Sequence, residues 1–163
     1  MFVEYSAEVD LPTQPVSELL AAHSSEMEGM GAVAYRRGEE LRARVGPGGL
    51  LAKEVVIAID PPLMSRRGLV IPVRWRATGA EALFPRLDGE LVVGETDNGG
   101  TEIKLQATYR PPLGSIGGLM DRVLLARLAR ATVSDCVDRI VEYLEHRSTE
   151  REDDLHHSSR ADN

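Results

Sequence analysis

Between residues 110 and 117 the apolar repeat of this chain changes period, and that change dictates most of what the chain can fold into. Before it, apolar residues recur at every second position; after it, they recur at helical spacing. The clearest alternating run is Thr101 to Arg110. Ile103, Leu105, Ala107 and Tyr109 fall on one face, and Glu102, Lys104, Gln106, Thr108 and Arg110 on the other. Such a strand buries one side and wets the other. Phe2 to Val9 reads the same way, with Val3, Tyr5, Ala7 and Val9 inward. So do Glu39 to Val45, Leu51 to Ile59 with Ile57 inward, Leu69 to Ala77 with Val73 and Trp75 inward, and Leu87 to Glu95. Gly46-Pro47-Gly48-Gly49 and Asn98-Gly99-Gly100 are turns, and Pro61-Pro62 stops a strand. Strands that follow one another from Glu39 onward with no helix between them make an antiparallel meander.

Two stretches interrupt the alternation. Pro15, a good first helical residue, opens a short helix carrying Val16, Leu19, Leu20 and His23 to about Ser24. From Ser25 to Ala34 a second short helix, a loop and an extra strand all remain open. After Pro111-Pro112-Leu113-Gly114-Ser115, the segment Gly117 to His146 is free of proline. It sets Leu119, Val123, Ala126, Val133, Val137, Ile140 and Leu144 in one stripe. That stripe extends over roughly 40 Å, and a helix so long hides it only against a large apolar surface. The inner face of the sheet is the one available. The expected class is therefore α+β: a curved antiparallel sheet of six or seven strands around a long C-terminal helix, with one or two short helices after the first strand. Residues 1–147 read as one domain. The polar stretch 148–163, STEREDDLHHSSRADN, reads as a disordered tail.

The 163 residues carry a formal net charge of -7, which repels phosphate backbones and argues against nucleic-acid binding. The pairs Arg36-Arg37 and Arg66-Arg67 read as solvated charges. Cys136 stands alone, so no intrachain disulfide forms. MFVEYSAEVDLP lacks the basic start and apolar run of a secretion signal, and no stretch nears the roughly 20 apolar residues of a membrane span. A cytoplasmic location without integral membrane association is expected; a homodimer is compatible with all of this.

The strings Tyr109-Arg110-Pro111-Pro112-Leu113-Gly114, Gly117-Gly118-Leu119-Met120-Asp121-Arg122, Ala131-Thr132-Val133 and Leu83 to Glu90 resemble START-like proteins of the SRPBCC superfamily. That superfamily includes polyketide cyclase/aromatases and lipid-transfer proteins. The likeness of layout covers residues 1 to 146 and the motif-level likeness residues 83 to 146; Ser25 to Gly38 departs from the usual layout. The resemblance implies the helix-grip fold, with a cavity between sheet and C-terminal helix that takes sterols, lipids, aromatic polyketides or plant hormones.

Within that frame the side chains that can line the cavity are Tyr5, Ile57, Val73, Trp75, Leu105 and Tyr109 from strands, with Met120, Arg127, Arg130 and Ser134 from the helix region. Arg130 lies between Ala126 and Val133 in the stripe, where its guanidinium can orient a carboxylate, phosphate or phenolate. Arg127 and Ser134 sit on the stripe's shoulder. Tyr5, Trp75 and Tyr109 need partners for their polar atoms once buried. Met27 and Met30 offer adaptable lining, and Met64 covers the cavity's mouth. The loops Pro61 to Gly68 and Gly79 to Arg86 act as gates.

Catalytic groupings are poor. His23, His146, His156 and His157 lie off the inner strand faces, so no Ser-His-Asp or Cys-His set is supported. Cys136 reads as a small core residue. No spacing of Cys, His and carboxylates indicates a metal, no cofactor is implied, and the Gly-rich turns join strands rather than opening helices. The expected function is binding of an apolar or amphipathic small molecule, as carrier or sensor. The alternatives are a cyclase/aromatase or dehydratase using the same cavity, with Tyr109 or Arg130 as its acid or base, and a protein-interaction module.

Overall fold

A computed structural model describes residues 1–45, 55–77, 86–110 and 122–161. Strand β1 spans Phe2–Val9, helix α1 Thr13–Ala22 and helix α2 Ser24–Val45. The strands β2 (Val55–Ile59), β3 (Leu63–Ser65), β4 (Gly68–Ala77), β5 (Arg86–Glu95) and β6 (Thr101–Arg110) follow, and helix α3 runs from Arg122 to Ala161. The sheet order is β1-β6-β5-β4-β2, all antiparallel, with β3 paired to β4. Turns Gly46–Gly49 and 79–85, and the helix start at 117–121 with Met120, lie outside the described residues.

The register assembles the inner face in rows. Ile57 pairs with Trp75, Trp75 with Leu87, and Leu87 with Tyr109. The next inward row crosses Ile59, Val73, Gly89, Ala107 and Val3. Gly89 is required in it. A Cβ there would run into the Gln106 carbonyl oxygen and come within 2.6 Å of the Ala107 Cβ, so the strands close up where the sheet bends.

Val16 and Leu20 bury α1. Thr101, fully buried, donates its hydroxyl to the Leu11 carbonyl at 2.6 Å, and Thr13 donates to the Gly100 carbonyl at 3.2 Å. The entry turn of α1 is thereby fixed to the β5–β6 hairpin. The Met1 ammonium donates to the Tyr109 carbonyl at 2.8 Å, and the Tyr109 amide donates back to Met1 at 2.7 Å.

The largest departure from expectation is α2. Residues 25–45, read as an undecided stretch followed by a strand over Glu39 to Val45, lie in one 22-residue helix, Ser24–Val45. Leu41, Ala43 and Val45 alternate, but three positions are too few to separate a strand from a helix, and Glu39, Glu40, Leu41, Arg42, Ala43 and Arg44 are good helix formers. Met27, Gly31, Ala34 and Tyr35 bury one face of α2. The helix packs against α3 on one side and β2 on the other, so two helices share the sheet's inner face. Among the described residues the sheet has six strands.

One further expectation changes: the segment Pro61 to Gly68 contains strand β3, hairpinned onto β4 through Gly68 at φ 106°. Helix α3 spans Arg122–Ala161, and His146 and Glu150 pair across one turn at 3.4 Å. Among the described residues no helix is long and apolar enough to cross a membrane. The layout is that of a helix-grip fold: a curved antiparallel sheet, short helices after the first strand and a long C-terminal helix.

Candidate functional site

Among the described residues, a gap lies where the sheet meets both helices. Val73 and Trp75 of β4, Leu91 of β5 and Leu105 of β6 form its floor. Met27 and Gly31 of α2 with Cys136 and Ile140 of α3 form its roof. Its volume is about 10 Å³, close to the least space that holds one water. Side chains of the described core therefore fill most of the space at this point.

One atom in this gap is out of balance. Trp75 is 0% exposed, and its indole N–H has no hydrogen-bond partner among the described residues. A buried donor left unmade costs about 1–3 kcal/mol, and Trp usually finds a partner when buried. The reason is visible in α2. Gly31 lies over the indole; a Cβ added there would stand 3.4 Å from Nε1 and 3.5 Å from the Ile57 side chain. Hydrogen in place of a methyl leaves the space above the N–H open, and the other side chains that line the gap bring only carbon and sulfur to it.

The helix candidates lie elsewhere. Arg127 and Arg130 are exposed, and Ser134 is half-buried with its hydroxyl on the Ala131 carbonyl at 3.2 Å. Arg130 is therefore not central in the buried stripe. That stripe runs through Ala129, Val133, Val137, Ile140 and Leu144 and is broadened by Leu128, Thr132 and Cys136, because α2 covers that flank. Arg130, Ser134 and Asp138, at successive i+4 positions, face the opposite flank. There Tyr5, 36% exposed on edge strand β1, donates its hydroxyl to Asp138 at 2.9 Å. The bond to that carboxylate raises the Tyr5 hydroxyl pKa. The structure brings Ile57, Val73, Trp75 and Leu105 together, leaves Tyr109 buried at the far end of the Trp75 row, and sets Tyr5, Arg127, Arg130 and Ser134 at the rim. Met64 is 78% exposed on β3 and covers nothing in the gap. Gly31, which the sequence reading did not single out, had one signal: the spacing Met27, Gly31, Ala34, Tyr35.

Charge stays outside the gap. Asp135 accepts from Arg37 of α2 at 3.0 Å and from Arg139 at 2.8 Å, joining the two helices at the surface. Burial, and then the Asp135 charge, push the Cys136 thiol up to about 12, so it is neither thiolate nor base at neutral pH. Among the described residues no group of three or more His, Cys, Asp or Glu can hold a metal ion.

A larger hollow, about 630 Å³, lies on the sheet's outer face. Arg66, Arg67, Glu95, Glu102 and Lys104 line it, and Lys104 pairs with Glu102 at 3.0 Å. Its charges are of both signs and open to water, with no stranded buried polar group, so its size does not make it the better site.

No family model and no curated protein matches the chain. Among solved structures it is similar to hypothetical protein jhp0584 of Helicobacter pylori, at 12% identity over 85% of this chain and 87% of that one, TM-score 0.46. It is similar to Ara h 8.0201 at 10% identity over 87% and 98%, TM-score 0.44. It is also similar to the di-domain ARO/CYC StfQ of the steffimycin biosynthetic pathway, at 18% identity over 89% of this chain and 47% of that one, TM-score 0.34. These are likenesses of layout, and no residue of the gap is carried across from them.

Proposed function

We propose that the chain binds an apolar small molecule between the sheet's inner face and helices α2 and α3, as a carrier or sensor. The observation that supports it most is the Trp75 N–H, wholly buried and unpartnered at an otherwise apolar gap. A core selected for stability alone satisfies or removes such a donor; a binding site keeps one for its ligand. Catalysis fits less well. A general acid or base needs a titratable group near its working pH inside the site, and the lining offers only the Cys136 thiol, held far above that range. The enzyme reading would put Tyr109 or Arg130 at the reaction, yet Arg130 is exposed and Tyr109 is buried outside the lining of the gap.

Native mass spectrometry of the purified protein, followed by denaturing extraction, tests the reading. A copurifying apolar compound, or a rise in melting temperature with members of an apolar panel, is the expected result. A protein that carries nothing and is stabilised by no member of the panel has a closed core there, and the reading fails.

A further inference from the structure

We infer that the ligand is uncharged and carries a hydrogen-bond acceptor, which docks on the Trp75 N–H in space that α2 vacates; this rests on the binding reading above. The gap of about 10 Å³ admits no organic molecule, so a wall must move. The floor cannot move easily, since β4, β5 and β6 are laddered on both edges. Nor can α3, whose Val133 and Val137 are 0% exposed and which packs on β1, β6 and α2.

α2 is the weak wall. Its interior holds Gly29, Gly31 and Gly38, each a much poorer helix former than Ala. Its described buried face is Met27, Gly31, Ala34 and Tyr35, in which two members bring almost no apolar area. An ion pair that ties it to α3 uses Arg37, whose side chain is 63% exposed, and exposed ion pairs hold little.

What the vacated space offers fixes the ligand's chemistry. The floor and the α3 wall are Val73, Trp75, Leu91, Leu105, Cys136 and Ile140. None carries a charge at neutral pH. An anion or cation there loses its hydration with no counter-charge to replace it. The indole N–H is a donor only, so it rewards an acceptor: a ketone, ester or ether oxygen. The carboxylate, phosphate or phenolate that Arg130 was expected to orient is the class this site rejects.

The chain has a single Trp, so protein labelled with ¹⁵N at the indole shows one side-chain cross-peak, that of Trp75. The full chain and Trp75→Phe are titrated with cyclohexanone, cyclohexane and cyclohexanecarboxylate at pH 8. Cyclohexanone moves the wild-type indole cross-peak downfield. Trp75→Phe weakens cyclohexanone about tenfold more than cyclohexane, the ratio one buried hydrogen bond supplies. Cyclohexanecarboxylate leaves the cross-peak in place. Should the carboxylate bind as well as the ketone, or the ketone bind without moving the indole, the ligand class falls while binding stands. Should no probe bind, with the indole proton exchanging only on global unfolding, both fall. If Trp75→Phe does not fold, the wild-type cross-peak still decides.

Discussion

Replacing Gly31 by Ala tests the packing of α2 on the sheet most directly. The new methyl would stand 3.4 Å from Trp75 Nε1, and 3.5 and 3.6 Å from two Ile57 carbons. These are ordinary contact distances, so no atom must move. Two gains follow. A helix-interior glycine becomes alanine, worth about 1 kcal/mol. A methyl enters a gap already shielded from water, adding up to about 0.8 kcal/mol. Gly29→Ala separates the two, because a Cβ there meets nothing within 4 Å and gains propensity alone. Denaturant titrations read by Trp75 fluorescence should give increases of about 1 kcal/mol for Gly29→Ala and between about 1 and 2 kcal/mol for Gly31→Ala. For a domain of this size the latter lifts the melting temperature by about 2–8 °C. Gly31→Ala should also weaken cyclohexanone binding, since it stabilises the closed position of α2 that the ligand must displace. A loss of stability in Gly31→Ala, with Gly29→Ala gaining, would show that α2 lies closer on the indole than described. The open space over the N–H would then be refuted.

Gly89→Ala has the opposite sign: its methyl meets the Gln106 carbonyl and Ala107 in a strand paired on both sides. A loss of about 3 kcal/mol or more is expected, read as a fall in the denaturation midpoint; a loss below about 1 kcal/mol would show that the strands can spread there. Cys136 predicts an alkaline weakness. Its thiol, pushed up to about 12 from 9.0, stays protonated in the fold while the unfolded chain ionises. Its stabilising contribution is whole below pH 9 and declines by about 1.4 kcal/mol per pH unit toward pH 12. The stability gap between wild type and Cys136→Ala should therefore narrow as pH rises from 9 to 11; a constant gap would mean that the thiol is not buried as described.

Strands were legible where their two faces differ in chemistry. Thr101–Arg110 alternates without error, and the observed β6 has those bounds; β4 and β5 begin one residue before the expected Leu69 and Leu87. The inward position of Ile57, Val73, Trp75 and Leu105 followed from parity alone, because a side chain's face in a strand depends on its own element. The position of Arg130 did not follow so simply. A helix's apolar period tells which residues can be buried together; which of them are depends on what lies beside the helix. With the sheet as sole partner, the stripe centres near Ala126 and Val133. With α2 on one flank it shifts toward Ala129, Thr132 and Cys136, and Arg130 is left in water.

α2 was hidden from periodicity for the same reason that it is the weak wall. A helix announces itself by large apolar residues at its inner positions. At two of its buried positions α2 has Gly31 and Ala34, which register little on any hydrophobic pattern and bury little area. Small residues at those positions let the helix lie close to β2 and β4 without binding tightly to them. A fold that needed a permanent second helix in its grip would place Leu or Ile there and bury the indole N–H against an acceptor. This chain does neither. It keeps Trp75 at 0% exposure with an unmade bond, and it covers that bond with the residue that weakens a helix most, proline apart. The two features face each other across the seam: a Cβ on Gly31 would stand 3.4 Å from the Trp75 Nε1. Each is a stability loss, and a ligand with an acceptor oxygen removes one by exploiting the other.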